Sequence, residues 1–169
     1  NEDCIGRIIR RLTKISCSVN PVAGFENRFI IEKTESPKKV VVVGGGPAGM
    51  EAARVAAIKG HKVSLYEKDS ALGGQLKSAA TPDFKSQLRE FARWQIRQLE
   101  IFGVDVYLNH EITASSPELE DADEIIVSTG ATPLMPNIKG IENAIDIITC
   151  HTQPERLKGE RIIYCGGGL

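Results

Sequence analysis

The sequence has little that would tie it to a membrane or to nucleic acid. It has no apolar run near the roughly 18 residues that span a bilayer, because glycines and a proline interrupt its most apolar stretch, residues 40–50. Lys and Arg number 21 against 22 Asp and Glu, so the net charge of -1 gives no broad field for nucleic acid or an anionic membrane. No secretory signal is recognisable at the N-terminus, and a cytoplasmic location is therefore expected.

Paired cysteine motifs are also missing. The four cysteines are Cys4, Cys17, Cys150 and Cys165, and no two of them form a Cys-x-x-Cys pair. This absence argues against a dithiol–disulfide reductase of the thioredoxin reductase type within the chain. Two cysteines separated by twelve residues, as Cys4 and Cys17 are, do not by themselves indicate a metal site. Cys165 is expected to be a buried thiol at the end of a strand.

The length of 169 residues corresponds to about one domain at roughly 150 residues each. Hydrophobic residues make up 41% and charged residues 25%, which is typical of a globular domain. Residues 162–169 stop where a strand would enter a glycine turn. The chain is therefore expected to be a piece of a longer protein.

Strand and helix patterns alternate after a charged turn at residues 36–39. The four valines at 40–43 predict a parallel strand buried on both faces, and an Ala-rich stretch predicts a helix at 47–59. The other predicted elements are strands at 62–66, 104–108, 124–127 and 161–165, and a helix at 83–102. The apolar stripe of that last helix comprises Leu88, Phe91, Ala92, Gln95, Leu99 and Phe102. This order predicts an α/β, Rossmann-like domain with a parallel sheet, preceded by an irregular segment with one short helix.

A glycine loop follows the first predicted strand and leads into the first predicted helix of the sheet. Gly44, Gly46 and Gly49 occupy the first, third and sixth positions of G-x-G-x-x-G, with Pro47 and Ala48 between the last two. Such glycines permit a tight turn, close approach of a pyrophosphate and close packing of helix on strand. The helix N-terminus then offers unpaired N–H groups to the anion. The motif predicts a dinucleotide-binding site.

An acidic residue supports that prediction. Glu67 ends the second predicted strand, 18 residues after Gly49, close to the roughly 20 expected for the carboxylate that binds a ribose. A carboxylate at this position suits an unphosphorylated ribose and repels a 2′-phosphate. A glycine-rich turn without a ligand is the alternative interpretation, and the combination of strand, glycines, helix and acid disfavours it.

Two later stretches make the chain resemble the FAD half of two-dinucleotide-domain flavoproteins such as the thioredoxin reductase class. They are Leu72-Gly73-Gly74-Gln75-Leu76 and Ile125-Ile126-Val127-Ser128-Thr129-Gly130-Ala131-Thr132-Pro133. The resemblance implies that Gly73, Gly74 and Gln75 lie along the flavin side and that the turn at Thr129, Gly130 and Ala131 closes over the cofactor. It also implies a role for Lys68, next to Glu67. Ser128 stands where the family usually has Ala. Residues 162–168 then resemble the first strand and glycines of an NAD(P)H-binding domain.

The N-terminal segment resembles the end of the iron–sulfur motif of the old-yellow-enzyme-related NADH:flavin oxidoreductases, a group containing 2,4-dienoyl-CoA reductase, enoate reductase and trimethylamine dehydrogenase. The resemblance rests on residues 4–7 and on residues 15–26, which read Ile-Ser-Cys-Ser-Val-Asn-Pro-Val-Ala-Gly-Phe-Glu. In that group four cysteines hold a 4Fe-4S cluster. The resemblance implies that Cys4 and Cys17 are the third and fourth ligands, and that two others would precede Asn1.

The resemblance implies three regions and an oxidoreductase function. Residues 1–36 would be the end of the cluster segment and a linker, residues 37–140 the first half of an FAD- or ADP-binding domain, and residues 141–169 a crossover and the start of an NAD(P)H-binding domain. The parent enzyme would pass electrons from NAD(P)H through FAD and the cluster to FMN, which reduces an activated C=C bond of a small-molecule substrate in an upstream barrel. No catalytic residue is expected in this chain, nor a nucleic-acid or membrane partner, and a homo-oligomer is possible.

Three alternatives stay open. The parent could be an amine dehydrogenase of the same family with a structural ADP. It could resemble the glutamate synthase small subunit, although the Ser-Val-Asn-Pro-Val-Ala-Gly-Phe-Glu run, residues 18–26, argues against this. It could also be a non-enzymatic module that keeps a nucleotide only for structure.

Overall fold

The computed structural model describes residues 3–159 and 161–166 of the chain. Its helices are α1 (Asp3–Ile9), α2 (Pro47–Ile58), α3 (Gln75–Ala79), α4 (Ser86–Ile101) and α5 (Ile147–Thr152). Its strands are β1 (Lys39–Val43), β2 (Lys62–Tyr66), β3 (Asp105–Tyr107) and β4 (Glu124–Val127). Short 3-10 turns lie at Asp83–Lys85, Pro117–Leu119, Ile141–Asn143 and Pro154–Arg156. None of the helices in this described part has the length and apolar character needed to cross a membrane.

The four strands form one parallel sheet in the order β3-β2-β1-β4. Strand β1 lies inside the sheet. Strands β2 and then β3 follow on one side of it, and β4 lies on its other side. Parallel neighbours need crossover connections, and α2 and α4 supply the first two. This arrangement confirms the predicted α/β, Rossmann-like fold.

One face of the sheet holds the core. Alternate residues of a strand face the same side, and Val42 and Leu65 on this side are completely buried. Met50 and Ala53 of α2 and Leu99 of α4 pack against them. The other face is more open at its edges, where Ile125 is 45% and Val127 71% exposed. Helices α2 and α4 therefore cover one face of the sheet, and β1 is its best-buried strand.

Several element predictions need correction. The stretch 161–165, expected to be a strand ending in a buried Cys165, forms no regular structure within the described residues, and Cys165 is exposed. A strand needs a neighbour for its backbone groups, and none lies beside this stretch in the described part of the chain. The glycines expected to follow it, Gly167 and Gly168, lie outside the described residues. Helices α3 and α5 were not expected, because α3 and α5 have only five and six residues.

The segment before the sheet has the irregular form that was predicted. Helix α1 is the single helix among its described residues, and a series of turns follows at residues 18–28. Its large apolar side chains are mostly exposed, among them Ile9 at 70% and Leu12 at 88%. Among the described residues of this segment, no hydrophobic side chain is buried.

Candidate dinucleotide-binding site

The glycine loop is packed so tightly that a side chain at Gly44, Gly45 or Gly49 would lie within 3.0 Å of neighbouring atoms. A Cβ on Gly49 would lie far inside 3.0 Å of the Gly44 carbonyl oxygen and of Ser128 Oγ. Gly44 adopts a φ of +105° and leaves β1 directly beside the backbone of Ser128. The loop therefore joins α2 closely to the end of β1, as the role assigned to the sixth-position glycine requires.

A glycine pair, Gly73 and Gly74, lies against the glycine loop. Gly73 N donates to the Gly45 carbonyl oxygen at 2.8 Å, which brings the turn before α3 against the glycine loop. Gly74 has a φ of +49°, and a Cβ there would approach Gly46 Cα at 3.0 Å. A Cβ on Gly46 would meet only Gly74 Cα, at 3.9 Å. The backbones of the two loops therefore pack directly against each other beside the N-terminus of α2, with no side chain between them.

The N-terminus of α2 lies beside that space and carries no group that would compete with an anion. Gly46 is its N-cap residue and supplies no side-chain cap, Pro47 is the first helical residue, and the first turn has no acidic residue. The backbone N–H groups of a first helical turn have no partner within the helix, and the helix dipole makes this end positive. The N–H of Ala48 is among those available to a phosphate.

Glu67 is buried and held by the backbone on both sides. It is 7% exposed, one carboxylate oxygen accepts from Gly45 N at 2.7 Å, and the other accepts from Asp69 N at 2.9 Å. Each carboxylate oxygen has a second lone pair. The two backbone bonds therefore orient the carboxylate and leave capacity for two hydroxyl donors, as the vicinal hydroxyls of a ribose would be. Lys68 beside it is exposed to solvent.

The turn after β4 closes the site on the side of α3. Gln75 Nε2 donates to the Ala131 carbonyl oxygen, so the two stretches that carry the flavoprotein resemblance are in direct contact. Thr129, Gly130 and Ala131 are exposed. The structure thus gathers the glycine loop, Glu67, Gly73–Gln75 and the 129–131 turn at the carboxyl ends of the strands. Their individual contacts with a cofactor stay predictions.

Two residues contribute in ways that the sequence patterns did not indicate. Ser128 Oγ donates to the carbonyl oxygens of Val43 at 2.9 Å and Gly44 at 3.1 Å, which ties β4 to the glycine loop. Gln95 of α4 is 3% exposed, and its Nε2 donates to the Pro47 carbonyl oxygen at 3.0 Å. The available signal for Gln95 was a single amide within an otherwise apolar helical stripe.

Aromatic rings lie next to Glu67 on the neighbouring strands. Tyr66 and Tyr107 stack with ring centroids 4.8 Å apart, and His110 approaches Tyr66 edge-on at 5.0 Å. Burial raises the pKa of the Tyr66 hydroxyl, and the neighbouring Tyr107 and Glu118 act in the same direction. His110 Nε2 lies 2.7 Å from a Glu118 oxygen. These groups form a polar surface beside β2 and β3.

The two candidate cluster ligands lie apart from the dinucleotide site in the chain. Cys4 is on α1 and Cys17 in the irregular stretch that follows, and both are partly buried free thiols. Within residues 3–159 and 161–166, no group of three or more His, Cys, Asp or Glu side chains could hold a metal ion. Two thiols are half of the set that a 4Fe-4S cluster needs. Their assignment as ligands stays a prediction.

Several known proteins are similar to this chain in sequence and in fold. Residues 38–169 match the family described as pyridine nucleotide-disulphide oxidoreductase. A cinnamate reductase of Clostridium sporogenes is 41% identical over 99% of this chain and 25% of its own length. The structure of a 2-naphthoyl-CoA reductase superposes with a TM-score of 0.80 at 33% identity, covering 87% of this chain and 23% of that one.

An amine oxidase acting on 6-hydroxypseudooxynicotine, from Pseudomonas geniculata, superposes with a TM-score of 0.68 at 30% identity, over 75% of this chain and 20% of its own. The chain thus spans about a quarter of the length of the relatives it matches. The family and these relatives support binding of a flavin and of NAD(P)H. The chain belongs to the pyridine nucleotide-disulphide oxidoreductase family, and its relatives are old-yellow-enzyme-like flavoproteins.

Proposed function

We propose that residues 37–140 hold the adenosine and pyrophosphate of FAD in a flavin- and iron–sulfur-dependent NAD(P)H oxidoreductase. The intact enzyme would reduce an activated C=C bond of a small-molecule substrate. One observation carries the binding proposal: the two glycine loops, joined by the hydrogen bond from Gly73 N to the Gly45 carbonyl oxygen, meet at the N-terminus of α2, and the buried carboxylate of Glu67 is bonded to the same loop. The reductase names of the relatives support the reaction class.

The glycine loop, Gly73–Gly74 and the N-terminus of α2 together are called the glycine cradle here. The cradle and Glu67 bind different parts of the nucleotide. The first-turn amides of α2 donate to the pyrophosphate, whose negative charge is favoured at the positive end of the helix. Glu67 accepts from the two ribose hydroxyls with the lone pairs that Gly45 and Asp69 leave available. A phosphorylated ribose would place negative charge against this carboxylate, so the site selects an unphosphorylated nucleotide.

The flavin, when bound, supplies the electron-transfer chemistry. This chain's own residues orient it and limit its exposure to water. The bond from Gln75 to Ala131 holds the 129–131 turn against α3, which closes the cradle on the side away from Glu67. We place the proton donor for the reduction of a C=C bond in the substrate domain, outside this chain.

The regions on either side have proposed roles of their own. Cys4 and Cys17 are proposed as two of four thiolate ligands of a 4Fe-4S cluster, and both are free to ligate because neither forms a disulfide. Residues 141–169 are proposed as the crossover to, and the start of, an NAD(P)H-binding domain. The intact protein would then connect NAD(P)H, FAD, the cluster and an FMN that meets the substrate.

A second candidate is an amine dehydrogenase that holds ADP in place of FAD. The glycine cradle and Glu67 account only for the adenosine and pyrophosphate, which both nucleotides share. The superposition with the P. geniculata amine oxidase supports the reaction class of this alternative. The two candidates differ in the nucleotide bound and in the direction of electron flow.

Chemical analysis of the intact protein tests the proposal. We expect flavin absorbance, acid-labile sulfide, and release of FAD on denaturation, identified by chromatography. Release of ADP with FMN as the only flavin would establish the second candidate. A protein with neither flavin nor sulfide would contradict both.

A Glu67→Gln variant tests the ribose assignment within the same protein. The amide keeps the size of the side chain but loses the charge and one acceptor, so we expect FAD affinity to fall about tenfold, from a loss of roughly 1.5 kcal/mol. Glu90→Gln, an exposed position on α4, is the matched control. Dissociation constants measured on the apoproteins give the comparison. Equal constants for Glu67→Gln and native protein would refute the assignment.

A further inference from the structure

Gln95 is a polar side chain on the otherwise apolar, buried face of α4. The face of α4 that packs on α2 carries the completely buried Leu99 and the partly buried Ile96, and Gln95 lies among them at 3% exposure. Its Nε2 donates to the Pro47 carbonyl oxygen, but its Oε1 is buried and has no hydrogen-bond partner among the described residues. A buried acceptor without a partner is destabilising. An apolar side chain would avoid that cost, so the donor is the one polar atom of this amide with a defined contact in the structure.

The acceptor of that donor belongs to the site. Pro47 is the first residue of α2, and its carbonyl shares one planar peptide group with the N–H of Ala48. Because the peptide group is rigid, a bond that fixes the Pro47 oxygen also fixes the direction of the Ala48 N–H. A hydrogen bond accepted by the carbonyl also polarises the peptide and strengthens the N–H on its other side.

Resting on the proposed function, we infer that Gln95 is a positioning residue for the pyrophosphate: it orients and polarises the Ala48 N–H through the Pro47–Ala48 peptide without touching the nucleotide. The side chain acts from behind the helix terminus, on the side of α4, while the anion is bound in front. The inference deepens the binding site by adding a residue from α4, an element outside the glycine motif.

At Gln95 the effect of a substitution on folding stability and its effect on ligand binding should differ. Gln95→Leu removes the donor and the unpartnered acceptor at the same time, and removing both polar atoms in a buried position can be neutral or stabilising. The apoprotein should therefore melt at the same temperature as native protein or higher. Affinity for a ligand with a pyrophosphate should nevertheless fall about threefold to tenfold, which is the change expected when one hydrogen bond is lost.

The experiment uses the apoprotein of the intact chain, with ADP and adenosine as probes in calorimetric titrations. We expect Gln95→Leu to weaken ADP binding and to leave adenosine binding unchanged, because adenosine lacks the phosphates. Gln95→Met, of similar length and without hydrogen-bonding groups, should repeat the result and serves if the Leu variant does not fold. Gln87→Leu makes the same chemical change at an exposed position of α4 and should alter neither ligand.

Two results would overturn the inference alone. Unchanged ADP affinity in both Gln95 variants would show that the Pro47 bond does not serve binding. Equal losses for ADP and adenosine would show a general structural role. Failure of the native apoprotein to bind either ligand is a different outcome, since it would remove the proposed function and this inference with it.

Discussion

The sheet region and the segments on either side of it contain similar residues but pack them differently. Every buried hydrophobic side chain in the described part of the chain lies between Val40 and Val104. Before that region Leu12 is 88% exposed, and after it Leu134 is 94% and Ile163 90% exposed. Apolar side chains are thus present in all three parts, and among the described residues only the sheet region buries them.

The difference shows that the dinucleotide site belongs to a unit with its own core. The glycine loop, Glu67, Gly73 and Gly74 lie between elements that bury one another, and main-chain bonds hold the loops together. Cys4 and Cys17 lie in a segment stabilised by local turns. The nucleotide site therefore depends on packing, and the proposed cluster segment depends on interactions outside that packing.

The strongest test of this comparison replaces a glycine in each region. Gly49→Ala would force the glycine loop, α2 and β4 apart, since its Cβ has no room, and we expect a loss of at least about 3 kcal/mol in unfolding free energy together with loss of nucleotide binding. Gly6→Ala on α1 meets nothing within 4 Å and should be neutral or stabilising by up to about 1 kcal/mol. Denaturant unfolding measures both. A mild Gly49→Ala phenotype would contradict the close packing of the loop.

A pair of leucines tests the core itself. Leu65 on β2 is completely buried, so Leu65→Ala should cost about 2–5 kcal/mol through lost contacts and a cavity. Leu134→Ala changes an exposed side chain and should stay within about 0.5 kcal/mol. Thermal melting of the two variants gives the comparison. Similar melting temperatures would mean that the flanking region is packed as firmly as the sheet.

The smallest effect is expected at α5, where acidification should loosen one helix and leave the sheet intact. Asp146 caps α5 by accepting from the N–H groups of Ile148 and Thr149. The Thr149 hydroxyl also donates to this carboxylate, and that hydrogen bond, followed by those from the backbone, lowers the pKa of the Asp146 carboxyl. Because the folded pKa is the lower one, the cap's contribution is present above the ordinary aspartate pKa. It is lost as pH falls through the lowered folded value.

Amide resonances followed by NMR during acidification measure this effect. Those of Ile148 and Thr149 should move at acid pH while those of β2 do not. In Asp146→Ala the helix should already be frayed at neutral pH and show no further change. Simultaneous movement of the β2 resonances would show that α5 and the sheet unfold together.

Sequence patterns were sufficient where a feature depends on neighbouring residues in the chain. Four consecutive valines predicted β1, and the glycine spacing with Glu67 at the end of β2 predicted the cradle, because turn, strand and helix signals are local. The prediction of a strand at 161–165 was wrong because strand formation does not depend on neighbouring residues in the chain alone. Pairing depends on a neighbouring strand, which local composition does not reveal.

The sequence by itself determined the α/β order, the glycine loop between β1 and α2, and an acid at the end of β2. Only the tertiary structure decided which groups from distant segments reach that loop. Ser128 ties β4 to Gly44, Gln75 reaches Ala131, and Gln95 reaches the Pro47 carbonyl from the middle of an apolar stripe. The physical reason is that a buried hydrogen bond depends on where two elements meet in space, while periodicity reports only which face of an element is buried.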